Sequence, residues 1–436
     1  MGKRSNNGKN TFFCVPFQML VMKMLGLARH LNKISGWIRT EAILREFRMK
    51  DTYFTRSTAK LSFEKLMAFV LGNNRNSAQV ALNDFFDKTE EEPVAKQTLF
   101  EAREKISHKA FSALNDMIVD NFYSEDDALT YKSYFLWGVD GSVLQAPQGA
   151  LDVFGGQKSA RSETVSAQAR AMVVSDVLNR IIVQAELKPI SVGERKIFLE
   201  MLENLRYFKR ILLIFDRGFY SKELADAIAE KDIFFLFRIK NNCQKEIDAA
   251  NAPDQEITVG TDTRLRIINV ILPTGETEKL ATNIFDDSFS ISDFAAIYEK
   301  RWGVETSYFM VKERLAIENF TSAKENLMLQ DFYAAVATYN LMEIACMEQE
   351  AKRKADGVDE GCRNKRSANR NIVAHEVRKC LLSVMLESDL AKIDRKMAKV
   401  QRIIYRFFKD VRPNRTNPRK VKFPHKKYHM NKKRNS

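Results

Sequence analysis

The chain has 436 residues, 45% hydrophobic and 29% charged, which excludes a disordered chain and gives room for two or three domains with real cores. Seventeen Gly and nine Pro fall below average usage, so collagen-like and linker-dominated chains are excluded as well. The net charge of +14 is unevenly spread: residues 411–436 hold ten Lys or Arg and no acid, which leaves only +4 for the first 410.

Met1 to Ala28 imitates a signal peptide, with Lys3, Arg4 and Lys9 ahead of apolar residues. Pro16, Gln18 and Lys23 cut that stretch into runs too short for a signal core, and no segment reaches the roughly 18 apolar residues of a membrane span. Cys14, Cys243, Cys346, Cys362 and Cys380 are an odd, scattered set without a C-x-x-C spacing. That argues against a disulfide framework and against a zinc site, and the expected location is a reducing cytoplasm.

Residues from about 10 to 125 read as helices. Ser62 is placed to cap a helix carrying Phe63, Leu66, Met67, Val70 and Leu71, which Gly72-Asn73-Asn74 ends. Ser77 opens a second helix with Val80, Ala81, Phe85 and Phe86, and Val94 to Ile106 forms a third. Such helices either place one member in a DNA groove or form a plain bundle.

The texture changes at Tyr131. Tyr134 to Asp140 is an apolar run ending in a carboxylate, and Ala171 to Leu187 reads as a hairpin turning at Asp176–Arg180. Gly193 to Tyr207 is helical, Ile211 to Phe215 is a continuous apolar strand, Ser221 to Lys231 is helical, and Ile233 to Phe237 is another buried strand. This alternation predicts a mixed α/β sheet covered by helices. A β-rich insertion over about 240–284 interrupts it, with strands at Leu265–Leu272 and Lys279–Ile284.

From Ser292 onward the chain turns helical. Lys352 to Asn371 reads as an exposed linker, and one long helix is expected from about Ile372 to Asp410. On it Ile393, Met397, Val400, Ile404 and Phe407 make an apolar stripe, while Arg395, Lys399, Arg402, Arg406 and Lys409 repeat the same steps as a basic one. The basic stripe is either a solvated face or a surface for phosphates. The cationic tail after it is either a solubilising arm or, as its charge favours, a nucleic-acid footprint.

Two aspartates end apolar strands, Val139-Asp140-Gly141-Ser142 and Phe215-Asp216-Arg217-Gly218. Singly each is a common turn residue; with a third carboxylate they make a hard-oxygen site suited to Mg²⁺. Glu305 is the third candidate. On a continuous helix at about 100° per residue, Tyr298, Arg301 and Lys312 lie within about 40° of it. Val304, Tyr308, Val311 and Leu315 form an adjacent apolar face, while Arg301 and Glu305 alone read equally as an i,i+4 salt bridge. Trp302 either lines a channel or packs, packing being preferred, and Trp137 has core parity. His30, His108, His375, His425 and His429 form no ligand set.

The Y-x2-R-x3-E-x6-K spacing of Tyr298, Arg301, Glu305 and Lys312 resembles the signature of DDE transposases of the fourth insertion-sequence family. Asp140-Gly-Ser and Asp216-Arg-Gly-Phe-Tyr-Ser221 resemble the family's two aspartate motifs, Leu280-Ala-Thr-Asn283 its lead-in, and Leu61 to Phe86 its helical region. The resemblance spans about Leu61 to Leu341.

It implies an α/β, ribonuclease-H-like mixed-sheet core interrupted by the β-rich insertion and flanked by helical N- and C-terminal regions. The expected division is 1–125 for DNA-end binding, 126–345 for catalysis and 346–436 for a helical region with its basic tail. Asp140, Asp216 and Glu305 would bind two Mg²⁺, with Mn²⁺ as a substitute, while Tyr298, Arg301, Lys312 and Arg217 would contact DNA. The implied activity is cut-and-paste transposition on terminal inverted repeats and target DNA by a homodimer, in a bacterial cytoplasm beside the nucleoid. The rivals are a ribonuclease-H-like nuclease without strand transfer and a transposase-derived DNA-binding protein that no longer cuts.

Overall fold

The computed structural model describes residues 26–411 apart from 57–58, 73–76, 125–127, 159–163, 206–209, 273 and 388. The basic tail expected over 412–436 and the signal-like residues up to 25 lie outside the described residues, as do Tyr207 and Pro273. Trp302 is described only by its backbone.

Six helices come first: α1 (Leu27–Ile38), α2 (Glu41–Phe47), α3 (Phe63–Leu71), α4 (Ala78–Thr89), α5 (Lys96–Arg103) and α6 (Lys109–Tyr123). Ser62 caps α3 as its sequence predicts, its hydroxyl accepting from the Lys65 amide.

Nine strands and their connecting helices follow. In chain order they are β1 (Phe135–Gln145), α7 (Leu151–Phe154), β2 (Gly156–Lys158), β3 (Val165–Asp176), β4 (Ile181–Pro189), α8 (Glu194–Glu203) and β5 (Ile211–Phe215). Then come α9 (Lys222–Ala229), β6 (Phe234–Arg238), α10 (Lys245–Ala249), β7 (Asp254–Val259), β8 (Thr263–Ile271) and β9 (Thr277–Thr282).

Nine strands, β1 to β9, share one sheet, in which β4 lies beyond β3 and the path runs β3-β1-β5-β6-β9-β8-β7. β3 is antiparallel to β1 and β4, while β5 is parallel to β1 and β6 parallel to β5. Taken in chain order, the five core strands therefore lie third, second, first, fourth, fifth with only the second reversed. This is the ribonuclease-H-like arrangement. The insertion continues the sheet instead of leaving it, because β9 pairs antiparallel with β6 and then with β8.

Every residue of β5 is buried, as its unbroken Ile211-Leu-Leu-Ile-Phe215 run predicts for a strand covered on both faces. Leu136, Leu212, Ile214, Leu236 and Leu280 pack on one face beneath α11 (Ile291–Glu299). Trp137, Val139, Leu213 and Phe215 face the other side. That side shares a continuous core with α6 and the long α13 (Glu325–Ala355), whose Asn340 side chain accepts from the Ile182 amide and donates to the Ile182 carbonyl.

Between these lie α12 (Trp302–Phe309) and a π turn at Met310–Arg314, closed by Leu315 N donating to the Met310 carbonyl. The signature is therefore not one helix. Tight bonds from Arg301 N to the Tyr298 carbonyl and from Val304 N to the Arg301 carbonyl break it after Glu299. The expected linker also departs from its reading. α13 runs to Ala355, Arg353 grips Asp359, and β10 (Arg366–Ala368) pairs with β11 (Phe408–Asp410).

The expected long C-terminal helix is two, α14 (Arg370–Met385) and α15 (Leu390–Arg406), because Asp389 caps the second by accepting from Ala391 N and Lys392 N. Ile393, Met397, Val400 and Ile404 are buried, but Phe407 lies past the helix end and is 45% exposed. No helix among the described residues is long and apolar enough to cross a membrane.

Candidate active site

Strand register brings the two aspartates together. Val139 pairs with Phe215 across the parallel β1 and β5, so the next position sets Asp140 beside Asp216 on neighbouring strands, about 4.8 Å apart in such a sheet. Both share the parity of Leu136 and Ile214, so they project to the face that α11 covers. α12 reaches that face because Gly138 has no side chain: a Cβ there would stand 2.1 Å from Val304 Cγ2. Tyr308 of α12 then fixes the crossing by donating its hydroxyl to the Asp140 carbonyl at 2.8 Å and the Ala171 carbonyl at 3.0 Å.

The charged groups gather around Arg301. Its side chain is buried, and Nη2 donates to Glu305 Oε1 at 3.0 Å. Tyr298 donates its hydroxyl to Asp216 Oδ1 at 3.1 Å, and its ring lies 5.8 Å from the Arg301 guanidinium. Burial, followed by the Asp216 charge, pushes the Tyr298 phenol well above its usual range, so it stays a donor. Burial opposes the Arg301 charge, but Tyr298, Asp216 and Glu305 outweigh it and hold the guanidinium cationic.

Burial also pushes the Asp140 carboxyl up to about 6, against the pull of Arg301 and a backbone hydrogen bond at Gly141, with Glu194 and Glu305 adding repulsion. Asp140, Asp216, Glu305, Tyr298 and Arg301 thus form one electrostatic group.

The other two sequence candidates sit at its margins. Lys312, on the π turn, donates to Ser142 Oγ at 2.7 Å and to the Val143 carbonyl at 2.8 Å, two and three residues beyond Asp140. Arg217 is exposed in the turn after β5, where its amide donates to Asp216 Oδ1 at 2.7 Å.

Sequence reasoning missed three contributors. Arg238, at the end of β6, pairs with Glu278, comes within 3.8 Å of Asp216 Oδ1 and stacks 5.8 Å from the Tyr298 ring. Glu194, in the first turn of α8, is held by Arg170 at 2.8 Å and approaches from the opposite face, where its carboxyl lies 2.7 Å from where a Cβ on Gly141 would stand. Tyr308 was assigned to an apolar face, yet its hydroxyl works at the strand. None of these stands at a fixed spacing from the aspartates, so only the sheet order reveals them.

Asp140, Asp216 and Glu305 supply donors of the kind a hard divalent cation takes, carboxylate oxygens, and burial and like charge hold the Asp140 carboxyl partly from ionising. Among the described residues no three His, Cys, Asp or Glu side chains stand close enough to hold an ion. The positive charge at the centre of the group is instead that of Arg301, bonded to Glu305.

Residues 139–341 match the family model of the transposase DDE domain, from β1 into α13. A Sinorhizobium fredii protein named as transposase y4zB is 29% identical over 150 residues, covering 30% of this chain and 42% of its own. A Geobacillus stearothermophilus protein, named as the transposase for insertion sequence element IS5377, is 24% identical over 146 residues, covering 30% of this chain and 38% of its own. The matched segment thus spans less than half the length of either relative. A solved synaptic complex of piggyBac transposase with hairpin DNA is 12% identical, with a TM-score of 0.43 over 91% of this chain and 84% of that one.

Proposed function

We propose that this chain is a metal-dependent DNA transposase that cuts at the ends of its own element and joins them to target DNA, as members of the fourth insertion-sequence family do. The observation that carries the reading is the convergence of Asp140, Asp216 and Glu305 on Arg301, inside the segment that matches the transposase DDE domain. In this reading Asp140, Asp216 and Glu305 would hold two Mg²⁺ once DNA is bound. The chemistry these supply when bound is activation of water or a 3′-hydroxyl and relief of charge on the leaving oxygen, in an in-line displacement at phosphorus.

The chain's own residues do the rest. Tyr298 fixes the rotamer of the Asp216 carboxylate through its hydroxyl. Tyr308 locks β1 and β3 to α12, so that Glu305 and Asp140 keep one separation. Arg301 is a buried, permanent cation that releases Glu305 and turns to a phosphate oxygen when DNA enters. Lys312 and Arg217 contact the backbone to either side. The bond broken is P–O3′, leaving a 3′-hydroxyl and a 5′-phosphate, and joining is the same displacement with that hydroxyl as nucleophile. Residues 1–125 would bind element ends, 126–345 would cut, and 346–436 would support a paired complex of two protomers.

The test is cleavage by the purified full chain of the DNA flanking its own coding sequence, with Mg²⁺ or with EDTA, beside Glu305→Gln. Metal-dependent excision at two related inverted ends, lost by at least about a hundredfold in Glu305→Gln while end binding persists, is the expected result. Equal loss of cutting and binding overturns the role of Glu305. Cutting without joined product points to a nuclease, and tight end binding without any cutting points to a DNA-binding protein.

A further inference from the structure

α15 presents two opposite faces. Ile393, Met397, Val400 and Ile404 are buried on the face packed against α13 and α14. Arg395, Lys399, Arg402 and Arg406 are all exposed on the other. At about 100° per residue these four cations fall within an arc of about 60°, turned away from the core. Asp394, the nearest acid in sequence, points about 100° from Arg395.

Among the described residues little neutralises this face. Lys399 and Arg402 make no ion pair among the described residues, Arg395 spends one nitrogen on the Ala391 carbonyl, and Arg406 lies 5.9 Å from the exposed Phe407 ring. The basic character also extends beyond the stripe. Lys409 is exposed on β11, whose following residue Val411 donates its amide to the Lys365 carbonyl at 2.7 Å. On the flank of α15, Arg29, Asn32 and Lys33 of α1 face Gln401 across a groove of about 490 Å³.

The spacing suits a polyanion of fixed charge density. From Arg395 to Arg406 the helix rises about 16 Å. One strand of B-DNA carries a phosphate about every 3.4 Å of axis, hence about five phosphates over that length against four cations. Arginine predominates on the stripe, as suits phosphate geometry.

We propose that the outward face of α15 is a second DNA seat, gripping the phosphates of duplex DNA without reading sequence, apart from the carboxylate group. The inference rests on the reading of this chain as a protein that acts on DNA, but its test needs no cleavage.

The full chain and its Arg395→Gln/Lys399→Gln/Arg402→Gln variant are titrated onto a random-sequence duplex between about 50 and 200 mM salt. Each lost phosphate contact lowers the salt slope by about 0.9, so three contacts make the variant lose roughly 40-fold less affinity across that range. Its melting temperature stays within about 1 °C of the parent because all three positions are exposed. An unchanged slope overturns the proposal. So does an unchanged DNA slope with lost binding to phosphatidylserine vesicles, which would make the face a membrane contact. Cleavage plays no part in this readout, so a chain that fails to cut can still show the change in slope, and a failed transposase reading and a failed α15 seat give different results.

Discussion

The close approach of α12 to β1 at Gly138 is open to a quantitative test. Alanine at 138 places a Cβ 2.1 Å from Val304 Cγ2 and 3.1 Å from Val177 Cγ1. Carbon atoms rest at about 3.5 Å or more, so α12 or β1 must yield by about 1.4 Å. Val304 is fully buried and β-branched, and it has no rotamer to escape into. Such overpacking costs about 1–3 kcal/mol. Val304→Ala alone removes two buried methyl groups and costs about 2 kcal/mol. In the double variant the new methyl occupies the vacated space, so the combined cost should fall short of the sum by at least about 1 kcal/mol. Urea midpoints of the full chain measure all four corners of this cycle. Additivity within about 0.5 kcal/mol would refute the contact. Under the proposed function, cutting supplies a second readout: α12 carries Glu305, and a displacement of about 1 Å costs about a hundredfold in rate. Gly138→Ala should lose cutting to that extent, and adding Val304→Ala should restore part of it.

Two further outcomes concern the N-terminal helices. Burial lowers the pKa of His30 to about 4 in the folded chain against 6.5 in the unfolded one, so folding favours its neutral form. Its contribution is complete above pH 6.5 and is lost as the pH falls toward 4, by about 3 kcal/mol in all; His30→Leu should flatten that part of the stability profile, and an unaltered profile rejects it. Arg103 is 1% exposed and bonds Gln330 at 3.0 Å, Thr321 at 2.6 Å and Asp331 at 2.8 Å. Arg103→Met strands a buried carboxylate and should cost about 3–5 kcal/mol by urea denaturation, while Arg103→Met/Asp331→Leu should recover much of it; equal losses in the single and double variants would count against the pair.

Much of the core was readable because its signals are local. The all-apolar Ile211–Phe215 run could only be a doubly covered strand, the hairpin announced itself on either side of Asp176–Arg180, and Ser62 capped where its helix began. Where reading failed, a local rule was carried across a break. The angular argument from Tyr298 to Lys312 assumed a continuous α-helix, but the chain turns tightly after Glu299 and widens to a π turn at Met310. Tyr298, Arg301 and Glu305 still converge, while Lys312 is carried toward Ser142. The helix read from Ile372 to Asp410 hid a stop because Asp389 is one acid in a charged stretch, and its two backbone bonds appear only in three dimensions. Arg238 and Glu194 lay beyond any spacing rule, since sheet order brings them to the aspartates.

The insertion raises a problem of routing that the lead-in motif solves. Between Asp216 and Glu305 the chain leaves β6 at Arg238 and must return so that α11 delivers Tyr298 to Asp216. β9 comes back against the strand the chain left, with Phe237 opposite Ala281. Thr282 donates its hydroxyl to the Phe235 carbonyl, while Asn283 accepts from Phe235 N at 2.8 Å and donates to the Ile233 carbonyl at 2.9 Å. These bonds fix where α11 starts, whatever the chain does between Arg238 and Lys279. The return strand also supplies Glu278, which holds Arg238 beside Asp216 and Tyr298. Thr282 and Asn283 therefore serve the carboxylate group without touching it, by making its geometry independent of the insertion's length.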